Sequence, residues 1–332
     1  MAQYFAWIQS ITEARLTKRL ERIAREKAQR SAKRTLKGEL LSWLDAIVFA
    51  VVFVLLINQY IFQLFMIPTP SMVDTLLVKD RVFVSKTAYG IELYPGGRKI
   101  LANTQPLRDD IIVFYNPEYE SRGPVFDVLS QMIYMATFSL VNIDVDEDGN
   151  MRERLYVKRA AALGGETVTF NEGTAQLAGA GQWAPTDDPT FREKNGLSTA
   201  PKQSLDSSLY PGIRAYGALL GYQEMGLGTS APNHLVQSYQ KVANYRGLVD
   251  YYQVSASRTA TEQMIAPHVL GHRSAAAKYR LGTYVPHGYV LPLGDNRDNS
   301  QDGRYFGPVP HSTVIGRVLF RFWPLNRLGG VS

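Results

Sequence analysis

The chain has 332 residues, with 36 lysines and arginines, 30 aspartates and glutamates, and no cysteine. The absence of cysteine excludes disulfide scaffolds, thiol nucleophiles and metal sites that need cysteine ligands. None of the five histidines lies in an H-E-x-x-H pattern, so we do not expect a catalytic zinc site. The length is sufficient to bury the core of one large domain or two modest ones.

The formal net charge of +6 comes entirely from the first 43 residues. This region holds ten Lys/Arg and four Glu, which leaves 26 basic and 26 acidic residues in the remainder. A nucleic-acid-binding protein is expected to spread its positive charge over a folded face, so we expect no nucleic-acid partner. Leu16, Leu20 and Ile23 recur at helical spacing, and residues 1–43 are therefore predicted to be a basic helical segment.

Residues 44–66 are predicted to form a transmembrane helix. The apolar run 46–57 within it is unbroken. A helix over the whole segment 44–66 would be about 34 Å long, enough to cross a hydrocarbon core of about 30 Å. A buried core helix is the alternative, but such a helix is usually shorter and lacks a one-sided basic flank. The flank predicts a cytoplasmic N-terminus and an external C-terminal region. No small-x-small cleavage pattern follows, so we expect the segment to remain as an anchor.

The region beyond the anchor is predicted to be a mostly β domain made of residues 67–171 and 286–332. Short segments rich in β-branched and aromatic residues, separated by turn residues, predict strands at 76–78, 81–85, 110–115, 154–159, 166–171, 288–293 and 316–323. An apolar patch at 125–141 is compatible with a helix. Residues 172–285 have weak periodicity and are predicted to be an inserted smaller domain.

Ser71 is the first candidate for chemistry. It follows the predicted anchor by five residues, and Pro68 and Pro70 restrict the backbone around it. The hydroxyl direction should therefore be well fixed. The alternative interpretation is a rigid linker that contains an incidental serine.

Lys158 and a polar loop are the second and third candidates. In a strand, Lys158 shares a face with Tyr156, and burial there would lower the pKa of the amine and make it a usable base. A solvated lysine on an edge strand is the alternative. The loop 294–307 directly follows an apolar strand, which indicates either a self-bonded turn or a site. Within it, Asp302 and Arg304 could form a charge-assisted pair.

Two acidic segments, beginning at Asp144 and Asp298, match the opening of an EF-hand calcium loop. The position of the bidentate glutamate is Leu155 in the first segment and Val309 in the second, so both lack the decisive ligand. We therefore predict no metal site and no cofactor.

Together, these motifs resemble those of the bacterial type I signal peptidases (leader peptidases), which are Ser/Lys-dyad membrane proteases. The resemblance covers residues 44–116, 154–171 and 286–324 and keeps the order of the family's motifs. It implies a mostly β catalytic domain of signal-peptidase type, with a large insertion and an N-terminal transmembrane helix. It also implies preproteins with signal peptides as substrates, contact with membrane lipid, and a place in the bacterial inner membrane with a periplasmic catalytic domain.

The resemblance also implies roles for individual residues. Ser71 would be the nucleophile and Lys158 the general base, while the Ser71 N–H and the Thr69 hydroxyl would hold the oxyanion. Ser300 would hold the Lys158 amine in position. The other supporting residues would be Gly294, Asn299, Asp302 and Arg304. Small apolar pockets for substrate side chains would be lined by Ile67, Met72, Leu76, Tyr156 and Val157.

Two other functions are weighed against this one. A self-cleaving protein of the SOS-repressor type shares the Ser/Lys dyad, but it would have a DNA-binding head where this chain has a membrane span. A membrane-anchored β domain without catalysis, which binds an envelope partner or polymer, would leave the Ser71, Lys158 and loop motifs unexplained. A buried Lys158 within hydrogen-bond reach of Ser71 would favour the protease. The sequence does not indicate an oligomeric state.

Overall fold

The computed structural model describes residues 13, 15–26, 36–137, 140–146, 149, 152–179, 182, 184–202 and 205–331. Its contacts divide the chain into two units, residues 1–54 and 55–332. In the first unit, residues 15–26 are helical, as predicted, and Leu16, Leu20 and Ile23 are exposed. Glu13 is also helical, and the remainder of the predicted basic helix before residue 36 lies outside the described residues.

The predicted membrane helix corresponds to α1, Leu36–Tyr60, whose part from Gly38 onward is long and apolar enough to cross a bilayer. The predicted span of 44–66 is therefore wrong at its C-terminal end, because Phe62–Met66 form a strand. Alternate side chains of this strand are buried, and it pairs in antiparallel fashion with Arg81–Ser85. The apolar character of these residues suggested a continuous helix, but their pairing with a neighbouring strand and the burial of one face favour a strand.

The second unit is mostly β, as predicted. Its strands are β1 (Phe62–Met66), β2 (Arg81–Ser85), β3 (Ile91–Glu92), β4 (Lys99–Ile100), β5 (Ile111–Tyr115), β6 (Leu155–Leu163), β7 (Thr167–Asn171), β8 (Thr174–Ala178), β9 (Thr186–Asp187), β10 (Thr283–Tyr284), β11 (Tyr289–Leu293), β12 (Val309–Pro310), β13 (Val314–Trp323) and β14 (Gly329–Gly330). The helices that follow α1 are α2 (Pro124–Ala136), α3 (Asp188–Lys194), α4 (Tyr210–Glu224), α5 (Asn233–Gln240), α6 (Tyr251–Ile265), α7 (Leu270–Leu281) and α8 (Gly303–Phe306).

The main sheet has the strand order β1-β2-β13-β5-β6-β11-β12, and β14 pairs with β13. Its strands are antiparallel, and β5 is buried on both faces. Because successive side chains of a strand point to opposite faces, Ile111 and Val113 enter one core cluster while Ile112 and Phe114 enter another. The sheet therefore has apolar packing on both sides, and β6 lies in its interior between β5 and β11.

The inserted region is joined to the main domain by more than a linker. Strand β7, assigned from sequence to the catalytic domain, forms a second sheet with β8, β9 and β10 of the insertion. Val168 and Leu177 of this sheet share a core cluster with Leu291 and Leu293 of the main sheet. The predicted boundary at residue 172 therefore cuts through a hairpin, and residues 55–332 form one compact unit.

Two local predictions have different outcomes. The apolar patch at 125–141 does contain a helix, α2. Residues 76–78, in contrast, form a turn, because the Asp80 carboxylate accepts a hydrogen bond from the Leu77 amide at 2.8 Å and Lys79 has a positive φ of 73°. Side-chain capping of this kind competes with strand pairing and is hard to read from hydrophobicity alone.

Candidate active site

Ser71 lies in a short 3₁₀ turn, Pro70–Met72, that follows β1. Proline fixes the first position of the turn, and the Met72 side chain, only 1 % exposed, anchors it in the core. Ser71 is itself buried, and its Oγ lies 3.4 Å from the Oγ1 of Thr69. The local sequence therefore places two hydroxyl groups together in a fixed backbone segment.

Lys158 lies in the middle of β6, opposite Ile112 of β5. Its side chain is 3 % exposed, and its Nζ is 2.7 Å from the Oγ of Ser71. The Nζ also lies 5.1 Å from the centre of the Tyr156 ring. The structure therefore brings together the two groups that the sequence singled out 87 positions apart.

Burial changes the acidity of the Lys158 amine. It lowers the pKa of Lys158 from its ordinary value of 10.5 to about 8, although the negative charges of Asp302, Glu153 and Asp295 oppose this change. A pKa of about 8 leaves about a tenth of the amine neutral at pH 7, whereas an exposed lysine is almost entirely protonated. Lys158 can therefore act as a base near neutral pH.

The polar loop after β11 is tied to itself by Asp302. One carboxylate oxygen accepts from the Gly294 amide at 3.0 Å, and the other accepts from the Arg304 Nε at 2.9 Å. Burial alone would raise the pKa of Asp302, but the charge and hydrogen bonds of Arg304 outweigh it and hold that pKa below its usual range. The predicted charge-assisted pair is therefore present, and both partners are buried.

Gly294 allows the loop to approach the nucleophile closely. A Cβ at this position would lie 2.7 Å from the Ser71 carbonyl oxygen, a distance that side-chain atoms do not tolerate. Asn296, two residues later, donates from its backbone amide to the Ser71 oxygen at 3.0 Å and from its Nδ2 to the Pro70 oxygen at 3.2 Å. The loop therefore holds the backbone of the Ser71 turn directly.

Sequence reasoning missed three residues of the site. These are Asn296, which grips the Ser71 turn, and the pair Arg159–Asp295, whose two hydrogen bonds are both 2.8 Å long and whose side chains are fully buried. Arg159 is adjacent to Lys158, and Asp295 is adjacent to Gly294. The sequence did offer a signal for this pair, because each charged residue stands next to a predicted site residue and Arg159 lies on a predicted strand.

Of two further predicted supporting residues, Ser300 does not make the contact expected of it. In the part of the chain that the structure describes, the Ser300 Oγ is buried without a hydrogen-bond partner, and it occupies the space that a Cβ at position 294 would take. The expected hydrogen bond between Ser300 and Lys158 is therefore absent. Asn299 is exposed, and its backbone amide closes the turn to the Asn296 oxygen at 3.2 Å.

A small cavity of about 20 Å³ adjoins the Ser71 and Lys158 side chains. Four of the five predicted pocket residues line it, namely Ile67, Met72, Tyr156 and Val157. The fifth, Leu76, is fully buried in the neighbouring core cluster.

The small cavity shares part of its wall with a wider cleft. The cleft has a volume of about 400 Å³, and residues of β1, β6 and α2 contribute to its lining. A small side chain therefore fits beside Ser71, and larger groups fit further along.

A serine hydroxyl in hydrogen-bond contact with a buried lysine amine needs no histidine to become a nucleophile. Serine hydrolases of the Ser/Lys type work with this pair of groups, and they are the class that the fold and the site define.

The chain belongs to the signal peptidase family, peptidase S26, whose family model matches residues 40–323. It is 26 % identical over 288 residues to signal peptidase I of Haemophilus influenzae, which is 84 % of this chain and 68 % of that protein. It is also 26 % identical over 278 residues to signal peptidase I of Aquifex aeolicus, which is 81 % and 79 % of the two chains. Over 56 residues it is 48 % identical to the mitochondrial inner membrane protease subunit 1 of Xenopus tropicalis, covering 17 % and 34 %. Membership of the family makes the chain a serine endopeptidase.

The acidity of Lys158 predicts the pH dependence of peptide cleavage. The amine must be neutral to accept a proton, so kcat/KM should rise with pH, tenfold per unit below the pKa, and level off above about 8. The measurement is kcat/KM on a detergent-solubilised preprotein from pH 5 to 10. A profile that is flat between pH 6 and 9, or that rises only near 10.5, would contradict the assignment of Lys158 as the base.

Proposed function

We propose that Ser71 is the nucleophile and Lys158 the general base of a membrane-anchored serine endopeptidase that removes signal peptides from secreted preproteins. The observation that carries the residue assignment is the 2.7 Å contact between the Lys158 Nζ and the Ser71 Oγ, both of them buried. The reaction itself follows from the family, whose relatives include several proteins named signal peptidase I.

The reaction proceeds through an acyl-enzyme. Neutral Lys158 takes the proton of the Ser71 hydroxyl while the Oγ attacks the scissile carbonyl carbon, and the protonated amine then donates this proton to the leaving amine. Lys158 next activates a water molecule, which attacks the acyl carbon and releases Ser71. The oxyanion of each tetrahedral intermediate accepts hydrogen bonds from the Ser71 N–H and the Thr69 hydroxyl. Such donors are typically worth about 3 kcal/mol each.

The two cavities suggest how a preprotein is recognised. An extended substrate segment beside the Ser71 turn would direct alternate side chains to the same side. The residue just before the cut would place its side chain in the small cavity of about 20 Å³, which favours alanine-sized groups. The residue two positions earlier would enter the wider cleft of about 400 Å³. This arrangement would select small residues at the cut and tolerate larger ones upstream.

A non-catalytic anchored domain is not favoured. Moving a lysine amine out of water is unfavourable unless an ion pair compensates for it, and Lys158 forms no ion pair within 4.0 Å with the part of the chain that the structure describes. A binding module would gain nothing from such a residue next to a buried serine. A hydrolase gains a base that is partly neutral near pH 7.

The chain is membrane-associated, and the proposal extends to its orientation. The helix α1 would cross the inner membrane with residues 1–35 in the cytoplasm, because positive flanks are retained on that side and ten Lys/Arg lie within the first 43 residues. The domain from β1 onward would then face the periplasm. Ser71 follows the end of α1 by only eleven residues, which tethers it close to the surface where a translocated signal peptide ends.

Substitution of the two dyad residues tests the catalytic assignment. Ser71→Ala removes the nucleophile and Lys158→Met removes the base while keeping the side-chain volume, so each should lower kcat by at least about a thousandfold. The measurement is cleavage of a purified secretory preprotein in detergent, with the cut position read by mass spectrometry. Lys194→Met, at an exposed lysine of α3, is the matched control and should retain wild-type activity. Residual cleavage by Ser71→Ala above a few per cent would refute the assignment.

The orientation can be tested by cysteine labelling, because the chain has no cysteine of its own. Ala24→Cys lies before α1 and Lys194→Cys lies after it, and both positions are exposed. A membrane-impermeant maleimide applied to spheroplasts should label Lys194→Cys at once and Ala24→Cys only after lysis. Labelling of Ala24→Cys in intact spheroplasts would mean the opposite orientation.

A further inference from the structure

The inserted region reaches the polar loop of the active site through its backbone. The Lys202 amide donates to the Asp295 oxygen at 2.8 Å, and the Arg297 amide donates to the Lys202 oxygen at 3.1 Å. Lys202 thus forms a parallel bridge with Asn296, the residue that lies between those two partners. One residue of the insertion therefore holds the loop on both sides of Asn296.

Asn296 transmits this contact to the nucleophile. Its backbone amide and its side-chain amide donate to the carbonyl oxygens of Ser71 and Pro70, at 3.0 and 3.2 Å. The path from the insertion to the turn that carries Ser71 is therefore only two hydrogen bonds long. Any displacement of Lys202 would move Asn296, and with it the Ser71 turn.

A chain of buried ion pairs runs beside this path. It leaves the loop at Asp295, crosses to β6 and to helix α3 of the insertion, and returns to the loop only two residues further on, at Arg297. Its contacts are Asp295–Arg159 at 2.8 Å, Arg159–Asp109 at 3.1 Å, Asp109–Arg192 at 2.6 Å, Arg192–Asp188 at 3.0 Å and Asp188–Arg297 at 2.7 Å.

The charges in this chain alternate and balance. Three arginines face three aspartates, and none of the six side chains is more than 12 % exposed. Arg192 contacts two aspartates and also donates to the Ser198 carbonyl at 2.7 Å, so it fixes three segments at once. Breaking a buried pair leaves an uncompensated charge, so the surrounding segments would have to move or admit water.

We infer that helix α3 of the insertion positions the nucleophile: Asp188 and Arg192, together with the Lys202 backbone, hold the loop 295–297 in the place from which Asn296 fixes Ser71. Asp188 and Arg192 are positioning residues and touch no reacting atom. The inference rests on the proposed function only in taking Ser71 as the nucleophile. It gives the insertion a role in the reaction, and it explains why the insertion is packed against the main domain.

This role has a consequence that a merely structural role lacks. If the loop loosens, Ser71 and Lys158 lose their alignment, and misplacement of a reacting group by about 1 Å can lower the rate about a hundredfold. Water would also reach the Lys158 amine, whose low pKa depends first on burial. The acidic limb of the pH profile, which is the range where kcat/KM rises with pH, should then move to higher pH. Partial unfolding alone would lower the rate equally at every pH.

The test uses Arg192→Met in the full-length protein, with Arg214→Met as the matched control. Arg214 belongs to the same insertion but pairs with Glu172 at the exposed surface, so its loss should leave the kinetics unchanged. For Arg192→Met we expect kcat to fall at least about tenfold, KM to stay within about twofold, and the acidic limb to move up by at least half a pH unit. Arg192→Lys, which keeps the charge but not the fork of donors, should be intermediate.

A second variant tests the inference if Arg192→Met fails to fold, which the loss of a cooperative unfolding transition would show. Asp188→Asn keeps the side-chain volume and removes only the charge shared by Arg192 and Arg297, and it should show the same fall in kcat and the same shift of the limb. Wild-type kcat and an unmoved limb in a folded variant would overturn the inference, as would a loss that is equal at every pH. Failure of the proposed function would look different, since the wild type would not cleave or Ser71→Ala would still do so.

Discussion

The arrangement of the site depends on the burial of one amine, which has no ion-pair partner within 4.0 Å among the residues that the structure describes. Lys158 lies in the interior of the main sheet, and burial, rather than a neighbouring positive charge, is the largest cause of its lowered pKa. A solvent-exposed lysine is almost fully protonated at neutral pH and cannot act as a base, whereas the amine of Lys158 is partly neutral there. The other features of the site either keep water away from the amine or hold the hydroxyl that it deprotonates in the proposed reaction.

Three parts of the chain together bury the Lys158 amine and hold the Ser71 hydroxyl beside it. Strand β6 places Lys158 in the sheet, the turn after β1 presents Ser71, and the loop after β11 fixes the backbone of that turn through Asn296. The charge of Asp302 favours the protonated amine, but its partner Arg304 acts in the opposite direction, and burial remains the largest influence on the pKa of Lys158. The insertion completes the arrangement because its ion pairs begin and end in the same loop.

The sequence predicted the candidate reacting groups better than the contacts that hold them in place. Ser71, Lys158 and Asp302–Arg304 stand in short motifs, and the strands around them show the alternation and β-branched composition that predict strands. The C-terminal end of the membrane helix was missed, because 62–66 are apolar enough for either structure and only pairing with β2 decides. The contacts of Asp188 and Lys202 with the loop span about 90 to 110 positions, and the contact of Arg192 with Asp109 spans 83. No local pattern predicts such pairs, because they are fixed by tertiary packing.

The most direct test of this account is the titration of the Lys158 amine itself. Carbon-13 NMR of protein labelled at the lysine side chains follows each amine through pH 5 to 12, and comparison with Lys158→Met assigns the relevant signal even though Lys99 also has a pKa lowered to about 8. The signal lost in Lys158→Met should titrate at about 8. A Lys158 signal that titrates near its ordinary value of 10.5 would mean that the amine is hydrated and charged, and the central claim would be wrong.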